Sequence, residues 1–178
     1  DSVTSIEDQA FMECSSLTSI TIPNSVTSID PGGFYGCTAL KKIKIATDNP
    51  VYDSRDNCNA IIETSTNSLI YGCQSTTIPD SVTGIGDWAF SGCSSLASIT
   101  IPHGVTSIGE AAFAKCSGLA SITISDSVIR IGDSVFAYCT GLKDVTIQDG
   151  VISIGYMAFY ECKSLKRITI PDSVSEIE

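Results

Sequence analysis

The chain has 178 residues, ten Lys and Arg against twenty Asp and Glu, a formal net charge of −10, one His and eight Cys. So acidic a chain is a poor nucleic-acid binder, because phosphate recognition needs a dense Lys/Arg surface, and a single histidine thins out general-base and metal chemistry. An apolar content of 43% with only 17% charged residues excludes disorder, and no apolar run approaches the roughly 18 residues of a membrane span.

The chain enters a repeat in mid-unit at Asp1-Ser2-Val3-Thr4-Ser5-Ile6. Phenylalanines follow at 11, 34, 90, 113, 136 and 159, 23 residues apart except for one interval of 56. Three residues after each stands Cys14, Cys37, Cys93, Cys116, Cys139 or Cys162, and three further on Leu17, Leu40, Leu96, Leu119, Leu142 or Leu165. Each leucine opens a run such as Leu119-x-x-Ile122-x-Ile124, which alternates as a half-buried strand does. Pro23, Pro102 and Pro171 end that strand where no further ladder donor is wanted. A second extended piece, Val-x-x-Ile, stops at Gly86, Gly109, Gly132 or Gly155, where a tight turn is easiest. The unit closes with Ala-Phe-x-x-Cys, spaced for one helical or 3₁₀ turn with Phe and Cys inward. One period governs every apolar position, so the chain is expected to form one solenoid over residues 1–178, in which neighbouring coils bury each other. Eight cysteines in an exported protein suggest four disulfides. Six of them, however, are one core position seen six times, and a shared inward rotamer makes them buried thiols.

The interval of 56 is ten residues longer than two periods, which places an irregular, longer repeat at about 46–78. Counting back from Ile78-Pro79 puts Cys73 at the usual leucine position and Thr76 at the first isoleucine. Residues 49–58 carry turn chemistry at both ends. The apolar runs Ala60-Ile61-Ile62 and Leu69-Ile70-Tyr71 then predict a small hairpin, or an irregular double strand, projecting from one side. Cys58 and Cys73 flank it, leaving two readings open, a disulfide or two further core residues. Asp48, Asp53, Asp56 and Asn57 lack the spacing of a calcium loop and read as a solvated turn. With no Cys-x-x-Cys and one His, a structural zinc site is not expected.

Units such as ITIPDSV-x-x-IG-x-x-AF-x-x-C-x-x-L resemble the BspA-like leucine-rich repeat family of bacterial surface proteins, over nearly the whole chain. The resemblance implies a leucine-rich-repeat solenoid, a β-rich right-handed coil of short parallel strands with short helical or 3₁₀ turns. It also implies export to the cell surface or beyond and binding to host or bacterial macromolecules, and it carries no catalytic motif. The segment Asn49 to Asn57 is similar to a variant repeat in gut-bacterial members.

The outward positions of the main strands read Ser19/Thr21, Lys42/Lys44, Ser98/Thr100, Ser121/Thr123, Asp144/Thr146 and Arg167/Thr169. Threonine suits an exposed strand face, and its recurrence also offers an ordered hydroxyl surface to a carbohydrate. Lys41, Lys42 and Lys44 form the one dense basic spot, with Lys163, Lys166 and Arg167 a looser one. The candidate contact residues are therefore Lys42, Lys44, Asp144, Arg167, Thr100 and Thr123. The expected partner is a protein, host extracellular-matrix proteins included, or a glycan, and no cofactor is expected. His103 occupies a variable turn position and reads as a surface residue. No nucleophile elbow or phosphate loop occurs, so the chain is expected not to be an enzyme; a spacer array is the competing reading. Neither end carries a polar cap, so a fragment of a longer array, or chains pairing end to end, is expected.

Overall fold

The computed structural model describes residues 2–178. The sequence period becomes a β-solenoid of about 8 turns. Its first face is built from the Leu-x-x-Ile-x-Ile runs. Strand Ser19–Ile22 pairs in parallel with Lys42–Ile45, and Ser121–Ile124 with Asp144–Ile147, which in turn pairs with Arg167–Thr169. Partners lie one repeat apart, as in Ile122 opposite Val145. Alternation along the strand turns Ile122 and Ile124 into the core and leaves Ser121 and Thr123 exposed.

The Val-x-x-Ile pieces form the second face, an eight-stranded sheet. It runs from Glu176–Ile177 through Ser153–Ile154, Arg130–Ile131, Ser107–Ile108 and Gly84–Ile85 to the strands of the irregular repeat. Ser5–Ile6 and Ser28–Ile29 pair separately. Apart from a 3₁₀ turn at Pro31–Phe34, the third side is not helical; the other 3₁₀ turn, Arg55–Asn57, belongs to the irregular repeat. The third side consists of paired turns with left-handed residues, for example Ala111 (φ 50°) and Lys115 (φ 60°). Alternating handedness aims every second N–H along the solenoid axis, so Ala111, Phe113 and Lys115 donate to the carbonyls of Asp133, Val135 and Ala137 in the next coil. This third ladder satisfies backbone groups that a helical turn would leave without partners.

Between these sides the repeated side chains stack. Phe90, Phe113, Phe136 and Phe159 lie with ring centroids 5.0, 5.5 and 5.4 Å apart and nearly parallel planes. Each buried aliphatic or aromatic side chain contributes roughly 1.5–3 kcal/mol, and the coil beside it supplies the cover. All eight cysteines are free thiols. Cys14 alone is exposed, and the other seven are buried. Cys37, Cys116, Cys139 and Cys162 each donate Sγ–H to the Phe carbonyl of the preceding coil, at 3.0–3.2 Å.

The irregular repeat departs from expectation. The hairpin of Ala60–Glu63 and Ser68–Gly72 does not project; it is built into the second sheet, with Leu69 taking the place of a repeat isoleucine beside Ile85. Both of its faces are apolar, so both must be covered. Ile61 and Tyr71 pack with the N-terminal core around Phe34 and Leu40, whereas Ala60, Ile62 and Leu69 pack with the C-terminal core around Phe90. The alignment is also corrected. Thr76 N–H donates to Cys73 C=O, the bond Leu96 makes to Cys93, so Cys73 takes the ladder cysteine's place and Thr76 the leucine's. From there the coil reaches Ile78-Pro79 three residues early and forms no main-face strand. The two readings of Cys58 and Cys73 resolve to buried core thiols. Asn49 holds the coil's entry, donating to Pro23 O and Val26 O while accepting from the N–H groups of Val51 and Tyr52.

Candidate functional site

The main-strand face carries all six candidate residues, and the structure sorts them into three groups. Lys42 and Lys44 point outward from Lys42–Ile45 and are exposed. The neighbouring irregular coil has no strand here. Residues Ser54, Asn57 and Asn59 come forward instead, and with the two lysines they line a concavity of about 420 Å³. Among the described residues, no carboxylate lies within ion-pair distance of either lysine. The site therefore presents two ammonium groups beside amide and hydroxyl groups, a set that suits an anionic ligand.

Asp144 and Arg167 face each other across adjacent strands, and Arg167 Nη2 lies 3.1 Å from Asp144 Oδ1. Each satisfies the other, so neither offers a free charge; this exposed pair is worth at most about 1 kcal/mol. The looser basic spot is similarly tempered, because Lys163 pairs with Glu161 at 2.8 Å.

Thr100 and Thr123 line one cleft, of about 340 Å³, with Ser98, Ser121 and Ser125. It exists because residues 98–101 pair with neither neighbour as a strand, although Ser121–Ile124 pairs fully with Asp144–Ile147. The threonine ladder is thus continuous from Thr123 through Thr146 to Thr169 and broken at Thr100.

His103 sits at the lip of this cleft. Its Nδ1 lies 2.9 Å from Asp126 Oδ1 and 3.1 Å from Ser125 Oγ. The hydrogen bond from the imidazole holds the Asp126 carboxyl below the usual carboxylate range. Serine and carboxylate meet the same ring nitrogen, so the imidazole cannot relay a proton between them as a hydrolytic triad does. The four oxygen-bearing residues of the irregular repeat are likewise spoken for separately. Asp48 accepts from Asn24, Asp53 forms a bidentate pair with Arg55, and Asp56 and Asn57 occupy left-handed turn positions.

A further site escapes the strand-face reading. On the turn side, Met12, Tyr35 and Trp88 line a groove of about 570 Å³ together with Asp8, Asp30, Asp87 and Lys115. It is set by non-repeating positions around each Phe, which a search for period alone passes over. The available signal was the sole tryptophan, at a position where other coils carry Gln9, Gly32, Ala111, Ser134 and Met157.

Comparison with known proteins agrees with this architecture. The family described as BspA type Leucine rich repeat region matches residues 1–69 and 61–178, in six copies. Among solved structures, a leucine rich cell surface protein from Faecalibacterium prausnitzii is similar at 36% identity and a TM-score of 0.82, over 99% of this chain and 51% of that one. A leucine-rich repeat protein from Bacteroides ovatus is similar at 30% identity and a TM-score of 0.60, over 99% of this chain and 41% of that one. The pneumococcal vaccine antigen PcpA shares the fold at 18% identity and a TM-score of 0.59, over 90% of this chain and 51% of the antigen. The chain thus spans about half the length, or less, of these relatives. No curated protein matches. No helix among the described residues is long and apolar enough to cross a membrane.

Proposed function

Because the chain belongs to the BspA-type leucine-rich repeat family, we propose that it is a non-enzymatic, surface-exposed or secreted bacterial module that binds an acidic macromolecule through its main-strand face. The family is one of bacterial leucine-rich repeat proteins that are generally non-enzymatic. A relative is called a cell surface protein, which supports the location. The observation that carries the binding reading is the Lys42–Lys44 concavity. On a chain of net charge −10, two neighbouring lysines without carboxylate partners face out beside amide donors. That arrangement suits a sulfated or carboxylated glycan or an acidic stretch of a matrix protein.

The test is surface plasmon resonance of the purified chain against heparin, hyaluronan, fibronectin and laminin. Reversing both charges (Lys42→Glu with Lys44→Glu) should weaken the strongest response at least tenfold, and raising salt should weaken the wild type in parallel. A spacer array would bind none of these ligands, and a response indifferent to both substitutions would count against the strand face. The hydroxyl-lined cleft at Thr100 and Thr123 supports a second reading, a neutral carbohydrate site. That reading predicts binding that survives high salt and is lost in Thr123→Val.

A further inference from the structure

The groove on the turn side exists because of the irregular repeat. There Gly72 and Cys73 are consecutive, where a regular coil inserts two residues between its Phe and Cys positions. One layer of turns is therefore missing from this edge. The coils on either side close over the gap until a Cβ on Gly92 would lie 3.1 Å from Gly36 N. Tyr35 and Trp88 are thereby brought to the two sides of one depression. Trp88 is the sole tryptophan and remains 41% exposed. It holds a left-handed backbone (φ 60°), a conformation that costs a bulky residue roughly 1–2 kcal/mol.

Three carboxylates rim these aromatic faces. Asp8 and Asp30 flank Gly32, where a Cβ would meet Asp8 Oδ1 at 2.3 Å and Asp30 Oδ1 at 3.3 Å. Asp87 caps the backbone N–H of Glu110 at 2.7 Å. Among the described residues, none of the three is paired with a basic side chain. Lys115 reaches the groove too, but its ammonium is committed, donating to Tyr35 Oη at 2.5 Å and lying 5.1 Å from the Tyr35 ring centroid.

We infer that this groove is a binding site for an arginine- or lysine-bearing segment of a partner protein, whose cationic side chain stacks on Trp88 and is neutralised by Asp8, Asp30 and Asp87. Charge decides the occupant. A neutral sugar would use the tryptophan face but has no need of three carboxylates that, among the described residues, lack a basic partner, and an anion would be repelled. The site lies on a different side of the solenoid from the strand face, and neither reading depends on the other.

The single tryptophan makes the test direct. The purified chain is titrated with the peptide Gly-Arg-Gly-Arg-Gly, with its citrulline counterpart, and with chitotetraose, while Trp88 emission is followed. The expected result is a saturable change with the arginine peptide, at least tenfold weaker for the citrulline peptide and absent with the sugar. The isosteric pair Asp8→Asn with Asp87→Asn should cost a further tenfold, and circular dichroism of that variant should match the wild type. Equal responses to arginine and citrulline peptides, a preference for the sugar, or no saturable change would each overturn the assignment.

Discussion

At Cys139 the thiol donates to Phe113 O at 3.0 Å and is sealed from solvent, and the same contact recurs along the ladder. Burial pushes these thiols up, Cys37 to about 11 and Cys93 and Cys139 to about 12, with Cys116 and Cys162 shifted in the same direction. An unfolded chain ionises its thiols near 8.5. Between that pH and about 11–12 the folded state therefore holds more protons than the unfolded one, and stability falls as pH rises. Below the unfolded value both states are protonated and the contribution is complete. In reducing buffer, the denaturation midpoint should hold steady from pH 6.5 to 8 and drop from pH 9 to 11. Cys139→Ala should cost about 1–2 kcal/mol at pH 7 through a small cavity and a lost hydrogen bond, yet show a shallower alkaline fall. Urea curves across that range on both proteins are the measurement, and a flat wild-type profile would refute the account.

Among the elements, the buried hairpin is the one with two jobs, since each face completes a different core. Tyr71 extends the N-terminal ring stack, 5.0 Å from Phe34, and its hydroxyl donates to Phe34 O at 3.0 Å. The next residue begins the C-terminal stack by having no side chain. A Cβ on Gly72 would lie 2.1 Å from Phe90 Cε1, and Phe90 is itself held against Phe113 at 5.0 Å. Gly72→Ala should therefore cost about 2–3 kcal/mol, as overpacking of a rigid core does. Tyr71→Phe should cost only about 1 kcal/mol, for one buried hydrogen bond. Chemical denaturation of the two variants checks the ranking. The existence of the apolar runs at 60–62 and 69–71 was legible in the sequence. Their burial was not, because a projecting hairpin and an embedded one share the same alternation, and what distinguishes them is the coil on each side.

The whole molecule repeats that lesson on a larger scale. The period specified the stacking, the inward ladders of Phe, Cys, Leu and Ile, and the outward strand face, because each is a property of one unit copied along the axis. What it could not specify were the interruptions. Residues 98–101 and 121–124 share the sequence Ser-Ile-Thr-Ile, yet only the second is a paired strand. The difference comes from the adjacent irregular coil, three residues short on that face, and the cleft is its consequence. The Lys42–Lys44 concavity and the turn-side groove arise from the same repeat, so all three surface depressions that bear on binding trace to one break in the period.

This makes local stability uneven in a way that identical local sequence does not suggest. None of the N–H groups of residues 98–101 donates to a backbone carbonyl, whereas Asp144–Ile147 has a strand on each side. Native-state hydrogen exchange should accordingly find the amides of 98–101 at least a hundredfold less protected than those of 144–147, and the former should exchange through local opening at low denaturant. Equal protection across the two segments would mean that the strand face is continuous, and with it that the cleft at Thr100 and Thr123 is closed in solution.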